Sequence, residues 1–200
     1  MKLFASPTSP YARKVLAVII EKGLQHSVEV IPTNPLEDGA KLQAANPLGK
    51  VPTLLLDDGR VIVDSSVIGA WLDTIGPGRR LIPEASDARL DTLVREAIAD
   101  GMMDAIFALV MERRRPLVQR SPEWIARWIA SIRRSVAMHE ASPPMSGEPD
   151  LADLALAVAL AQIDFRLPDI DWSIEAPKLR AWLTKVSKRP SLAGTAPPTA

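Results

Sequence analysis

Short apolar runs alternate with helix-spaced apolar positions along the first part of this chain. Met1 to Ala5 is a brief apolar run stopped by Ser6-Pro7-Thr8-Ser9-Pro10, after which Tyr11 to Leu24 places Val15, Ala17, Val18 and Ile19 at helical spacing. That is strand, loop, helix. Pro10 suits the first helical position, where its missing donor costs nothing, Ser9 suits the N-cap before it, and Gly23 supplies the stop. Ser27 to Pro32 reads as a second strand, and two short strands joined by a helix are expected to pair in parallel with a right-handed crossover. A turn-rich stretch, Asn34 to Gly39, and a weak helix to Ala45 follow. Thr53-Leu54-Leu55-Leu56 and Arg60 to Val63, joined through Asp57-Asp58-Gly59, predict a hairpin. Asp64-Ser65-Ser66 then opens a helix running to Ile75, with aspartate and serine where a helix N-terminus needs acceptors. The predicted order to this point is βαβαββα.

Beyond it nothing reads as strand. Asp87 to Glu112, Pro122 to Glu140, Asp150 to Phe165 and Pro177 to Lys188 each carry helical periodicity, separated by proline or glycine breaks. Leu154 to Leu160 is almost wholly apolar and is expected at the buried centre of the helical part. Asp150 and Asp153 stand three apart at a helix start, as a capping box requires. Gly76-Pro77-Gly78-Arg79-Arg80, followed by Pro83, reads as a linker, which gives an α/β domain over residues 1–76, a linker over 77–86 and an all-α domain over 87–200. The Pro-rich tail, Thr195 to Ala200, is expected to be loose.

Composition narrows the chemistry. The chain is 47% hydrophobic, and its 24 basic residues balance 24 acidic ones, the profile of a soluble globular protein. A neutral total exerts no long-range pull on phosphate backbones or anionic lipid, so binding to nucleic acid or membrane would need a local patch and neither is expected as a partner. Glu112-Arg113-Arg114-Arg115 is the basic cluster, read first as a solvated helix end, with a nucleic-acid footprint and the lining of a pocket for an anionic small molecule as the competing readings. The absence of cysteine excludes disulfides, thiolate metal sites and a cysteine nucleophile. His26 and His139 stand far apart without acidic neighbours at ligand spacing, so no metal is expected. The opening MKLFASPTSP reads as neither signal peptide nor membrane span, which leaves a cytoplasmic address as the expectation.

Three motifs in order carry a resemblance. Ser6 to Lys14, SPTSPYARK, resembles the active-site turn of bacterial glutathione S-transferases; Asn46 to Leu54, NPLGKVPTL, is similar to that family's glutathione loop; and Val63-Asp64-Ser65-Ser66 resembles its acidic-Ser element. Asp150 to Asp153 resembles the family's helix-capping motif, and Arg189-Pro190-Ser191 with Thr195-Ala196-Pro197 its closing signature, so the resemblance covers nearly the whole chain. Ala99 to Ala105, with Arg115-Pro116 downstream, resembles a bacterial branch of small transferase-like proteins whose activities are poorly defined. The resemblance implies a thioredoxin-like domain followed by a helical bundle, a homodimer, glutathione as co-substrate without a metal, and transfer of an alkyl or aryl group from a small electrophile, a role in detoxification. A protein-interaction or glutathione-binding module with little turnover is the second function class that the fold admits.

The same resemblance assigns roles. Ser9 is the candidate activator, since a hydroxyl donor at a helix N-terminus stabilises a thiolate through a charge-assisted hydrogen bond and the helix dipole, and each unit of pKa lowering requires about 1.4 kcal/mol. Ser9 as a plain helix cap is the competing reading, and Thr8 and Tyr11 are alternative neighbours of the sulfur. Val51-Pro52 matches the family's cis-proline site, where the main chain of Val51 pairs with the cysteinyl backbone of glutathione. Lys50 either reaches the glycyl carboxylate or is simply solvated. Asp64 and Ser65 would take the γ-glutamyl end, and Asp100 resembles an acid that extends across a dimer interface to the same ammonium group. Without cysteine, thiol exchange through a mixed disulfide with the protein is excluded; conjugation, peroxide reduction by bound glutathione and isomerisation stay open.

Overall fold

Leu3, Phe4 and Ala5 are all buried, and they form the middle of a four-stranded sheet in the computed structural model, which describes residues 1–37, 39–144 and 147–198. Strand β1 (Lys2–Ala5) leads through a turn into α1 (Pro10–Glu21), and β2 (Glu29–Pro32) returns parallel to β1 with Ala5 opposite Pro32. After α2 (Gly39–Ala45), β3 (Thr53–Leu55) lies antiparallel to β1 with Phe4 opposite Thr53, and β4 (Val61–Ile62) closes the hairpin. The strand order is β2-β1-β3-β4. Helix α3 (Ser65–Ile75) packs on α1, whose buried stripe is Ala12, Val15, Ala17, Val18 and Ile19. The βαβαββα order is borne out, with strands somewhat shorter than the apolar runs because pairing ends where the register does. Gly23 adopts φ 67°, the left-handed turn that stops α1.

The chain divides into two compact units, Met1–Thr92 together with the segment from Pro190 on, and Leu93–Arg189. Residues 77–86, expected as a linker, are bound along the first unit by two buried charges. Asp73 accepts the amides of Leu81 at 2.7 Å and Ile82 at 3.2 Å and the ammonium of Lys22 at 3.2 Å, while Lys22 also donates to the carbonyls of Gly78 and Arg79 at 2.8 Å. Composition signals a chain break here, but side chains from α1 and α3 supply the hydrogen bonds that a free linker would take from water. The C-terminal helix α9 (Pro190–Ala193) returns to α1: Ser191 Oγ donates to Glu21 at 2.5 Å and Arg13 Nη2 to the Leu192 carbonyl at 3.2 Å. Thr195 Oγ1 donates to the Ser191 carbonyl at 2.7 Å, so the tail is held there; Thr199 and Ala200 lie outside the described residues.

The second unit is helical. It contains most of α4 (Ser86–Arg114), a one-turn 3-10 segment (Leu117–Gln119), α5 (Pro122–Ala141), α6 (Leu151–Arg166), α7 (Trp172–Glu175) and α8 (Pro177–Val186). Leu154 to Leu160 is buried on every side, as its unbroken apolar run requires. The capping box is present in both directions, Asp153 N donating to Asp150 at 2.9 Å and Asp150 N to Asp153 at 3.2 Å, and Arg95 of α4 reaches both carboxylates. Ala176 has no side chain to cap α8, so Glu140 of α5 accepts the amides of Lys178 at 3.2 Å and Leu179 at 2.9 Å instead. The single-turn elements at Leu117, Trp172 and Pro190 escaped periodicity because one turn holds too few residues to show a period.

Candidate functional site

Sheet register brings three loops to one end of the first unit. Because β1 and β3 are antiparallel with Phe4 opposite Thr53, the turn that leaves β1 and the segment that enters β3 lie at the same end of the sheet, which brings Ser6 to Ser9 and Val51-Pro52 to that end. Because β1 and β2 are parallel, Pro32 to Asn34 leaves the sheet at the same end. Lys14, fully buried on α1, donates to Ser66 Oγ at 3.3 Å and so holds the N-terminus of α3 against the first half of α1.

Ser9 caps α1. Its backbone is extended, φ −82° and ψ 121°, and its side-chain oxygen accepts the Ala12 amide at 3.3 Å. A serine hydroxyl has one donor and two acceptor positions. Capping uses an acceptor, so the two sequence readings of Ser9 are compatible: the proton remains to be given to an anion arriving at the helix N-terminus. Pro10 starts the helix and Tyr11 is half-buried on its first turn. Ser6, Pro7 and Thr8 line an open cleft of about 470 Å³ with Pro32, Thr33 and Asn34.

The loop before β3 is shaped by one asparagine. Asn46 is buried; its Nδ2 donates to the Lys50 carbonyl at 3.0 Å and to Thr53 Oγ1 at 2.9 Å, and its Oδ1 accepts the Leu48 amide at 2.9 Å. Thr53 Oγ1 in turn donates to the Lys50 carbonyl at 2.8 Å, and Gly49 makes the turn at φ 59°. These bonds fix Lys50 and Val51 through their backbone while the Lys50 side chain stays exposed. The Val51-Pro52 peptide is cis. Among the described residues no hydrogen bond is made by the amide or the carbonyl of Val51, which leaves one donor and one acceptor open as on a strand edge.

Asp64 caps α3, its Oδ1 accepting the Ser66 amide at 3.1 Å, and the Val63-Asp64 peptide is also cis. Asp64 is exposed and Ser65 buried, so the helix end offers a carboxylate to solvent beside its own positive dipole end. Asp100 stands apart from this group in the chain: it is half-buried in the middle of α4, within the second unit. Sequence reasoning gave Lys14 and Thr53 no role of their own, and Ser66 only a place in the helix-opening acidic-Ser element. Asn46 entered only as the first residue of the loop motif, although Asn before Pro with Gly three residues on signals a side-chain-closed turn, whereas a lysine inside an apolar helical stripe gives no sign of its partner. Among the described residues no group of His, Asp and Glu is arranged to hold a metal ion, and no helix is long and apolar enough to cross a membrane.

Known proteins are similar to this chain in sequence and fold. Residues 8–75 match the family model for the glutathione S-transferase N-terminal domain, and residues 122–185 the model for its C-terminal domain. A GST-like protein of Escherichia coli K12, YibF, itself uncharacterized, is 32% identical over the full length of both chains. A glutathione transferase family member from Pseudomonas fluorescens Pf-5, solved with bound glutathione, is 38% identical with a TM-score of 0.95 and 99% of each chain covered. A second structure from that organism, at 37% identity, TM-score 0.91 and full coverage of both chains, holds S-(propanoic acid)-glutathione.

Proposed function

The chain belongs to the glutathione S-transferase family, and from that premise we propose that it binds reduced glutathione at this end of the sheet, stabilises the thiolate and transfers it to a small electrophile. In this reading Val51 pairs with the cysteinyl backbone through its open amide and carbonyl, as an added strand would. The α3 N-terminus and Ser65 take the γ-glutamyl carboxylate, Asp64 accepts from the γ-glutamyl ammonium, and Lys50 answers the glycyl carboxylate. Tyr11 lies against the ligand on the first turn of α1. The thiolate sits at the α1 N-terminus, where the Ser9 proton and the helix dipole favour the charged sulfur over the thiol. The nucleophile belongs to glutathione: its sulfur forms the new bond to the electrophile, and the protein supplies position and charge stabilisation.

The observation that carries this reading is the direction of the Ser9 hydrogen bond. The side-chain oxygen is an acceptor towards Ala12, so its donor is kept for the sulfur. The cleft beside it, bounded by Ser6 to Thr8 and Pro32 to Asn34, carries hydroxyl and amide groups without an ionisable side chain and would receive the electrophile. The Pseudomonas relative that holds S-(propanoic acid)-glutathione supports a conjugate with a short polar acid on sulfur. A cytoplasmic homodimer completes the reading, with Asp100 supplied to the glutathione ammonium from the partner. An apolar cleft lined by Val61, Ile62, Val63, Val67 and Trp71 offers a face for a second copy to cover.

The test is calorimetric titration of reduced glutathione into the protein, with the pKa of the bound thiol followed by thiolate absorbance. Binding with a thiol pKa below that of free glutathione supports the transferase reading. Binding without a shift points to the ligand-binding module of little turnover, and absence of binding refutes both.

A further inference from the structure

The turn between α4 and α5 combines exposed apolar side chains with a dense positive field. Residues 114–119 are all exposed, and within them Leu117 is 77% and Val118 94% exposed, adjacent in a single 3-10 turn. Trp124, on the first turn of α5, is 51% exposed and stacks on Trp128 at 5.6 Å. The stretch 112–134 holds seven arginines against two glutamates, five charges in excess within a chain that is neutral overall.

The turn is built rather than loose. Glu112 Oε1 accepts the Ser121 amide at 2.7 Å, Arg120 Nε donates to the Arg115 carbonyl at 2.8 Å, and Arg113 is engaged with Asp169 at 2.8 Å. These bonds take up Glu112 and Asp169, with Arg115 also 3.9 Å from Glu112, and leave Arg114, Arg115 and Arg127 exposed beside the exposed Glu123, Arg127 over the ring of Trp124 at 5.6 Å. The field is felt nearby: the guanidinium of Arg166 is held below its ordinary range, first by burial and then by the charge of Arg114.

We propose that this turn is a peripheral docking surface for an anionic phospholipid bilayer, in which Leu117 and Val118 enter the headgroup boundary, Trp124 lies at the interface and the arginines meet lipid phosphates. Apolar tips flanked by arginine and an amphipathic aromatic are the chemistry that an anionic interface rewards. Six consecutive exposed residues join the two helix ends. A protein partner would need a matching concave surface, whereas a bilayer yields around an apolar tip. The neutral net charge makes the effect local, so attachment is reversible and sensitive to salt.

The experiment is sedimentation of the full-length protein with vesicles of phosphatidylcholine alone and of phosphatidylcholine mixed with phosphatidylglycerol, with tryptophan emission recorded in parallel. The expected result is binding to the anionic vesicles alone, a blue shift of emission, and release as salt is raised. The Leu117→Ser/Val118→Ser double variant should lower partitioning roughly tenfold, and Arg114→Gln/Arg115→Gln roughly thirtyfold at low salt, with circular dichroism unchanged because all four side chains are exposed. Equal sedimentation with both vesicle types, or none with either, overturns the proposal. So does binding to soluble polyglutamate as tight as to anionic vesicles, which would mark the surface as one for an acidic polypeptide.

Discussion

Lys22 and Asp73, both buried, meet at 3.2 Å, and through them α1 and α3 hold the chain that leaves α3. Removing one partner of a buried pair leaves the other charge uncompensated, which costs about 3–5 kcal/mol. Asp73→Ala also frees the amides of Leu81 and Ile82. Urea denaturation should therefore show a loss of at least that size for Asp73→Ala and a smaller one for Asp73→Asn, which keeps an acceptor.

Gly78 passes so close to α1 that a Cβ there would stand 2.3 Å from the Glu21 carbonyl oxygen and 3.0 Å from Lys22 Cα. Backbone cannot yield as a side chain does, so Gly78→Ala should destabilise by about 1–3 kcal/mol, the usual cost of overpacking. A thermal melt indistinguishable from the parent would count against this account of the segment.

Cap and donor at Ser9 can be separated. Ser9→Ala removes both and should cost about 1 kcal/mol of stability while raising the pKa of bound thiol. Ser9→Asp keeps an acceptor for Ala12 and has no proton to give when ionised. It should retain stability close to that of the parent while also raising the thiol pKa. Parental thiol pKa in both variants would remove Ser9 from the mechanism.

Asn46→Ala should weaken glutathione binding without moving the thiol pKa, because it loosens the backbone of Lys50 and Val51 and leaves the α1 N-terminus alone. A rise in Kd of roughly tenfold corresponds to the loss of about one buried hydrogen bond. A changed thiol pKa would show that the two loops are not separable in this way.

Asp153 and His139 titrate with opposite signs. Burial, and then the charge of Asp150, push the Asp153 carboxyl up to about 6 against the opposing Asp150 amide and Arg95, so the folded state holds this proton more tightly than the unfolded chain. The resulting stability is present below the unfolded pKa near 3.8 and is lost as pH rises to about 6. His139 is held below its ordinary range chiefly by burial, so its contribution is present above pH 6.5 and is lost as pH falls. Asp153→Asn removes the first effect alone. Its stability, followed by chemical denaturation from pH 7 to pH 4, should fall more steeply with acid than that of the parent, by up to about 3 kcal/mol over the window.

Periodicity and capping chemistry were enough to read the βαβαββα order, the ends of α1 and α3, the capping box of α6 and the burial of Leu154 to Leu160, because each is decided by residues within a few positions of one another. The three loops with candidate chemistry were likewise visible, since serine, proline, glycine and aspartate impose local backbone geometry whatever surrounds them. What the chain could not declare by itself was convergence. Bringing the Ser9 turn and Val51 to one end of the sheet depends on the register between β1 and β3, and joining the α3 N-terminus to α1 depends on Lys14 reaching a serine 52 residues away. The segment 77–86 has the composition of a linker and the hydrogen bonding of a strapped-down chain, because its partners, Lys22 and Asp73, sit on other elements. Local conformation follows from nearby residues, whereas the pairing of distant buried polar groups is settled only when the folded core has no water left to offer them.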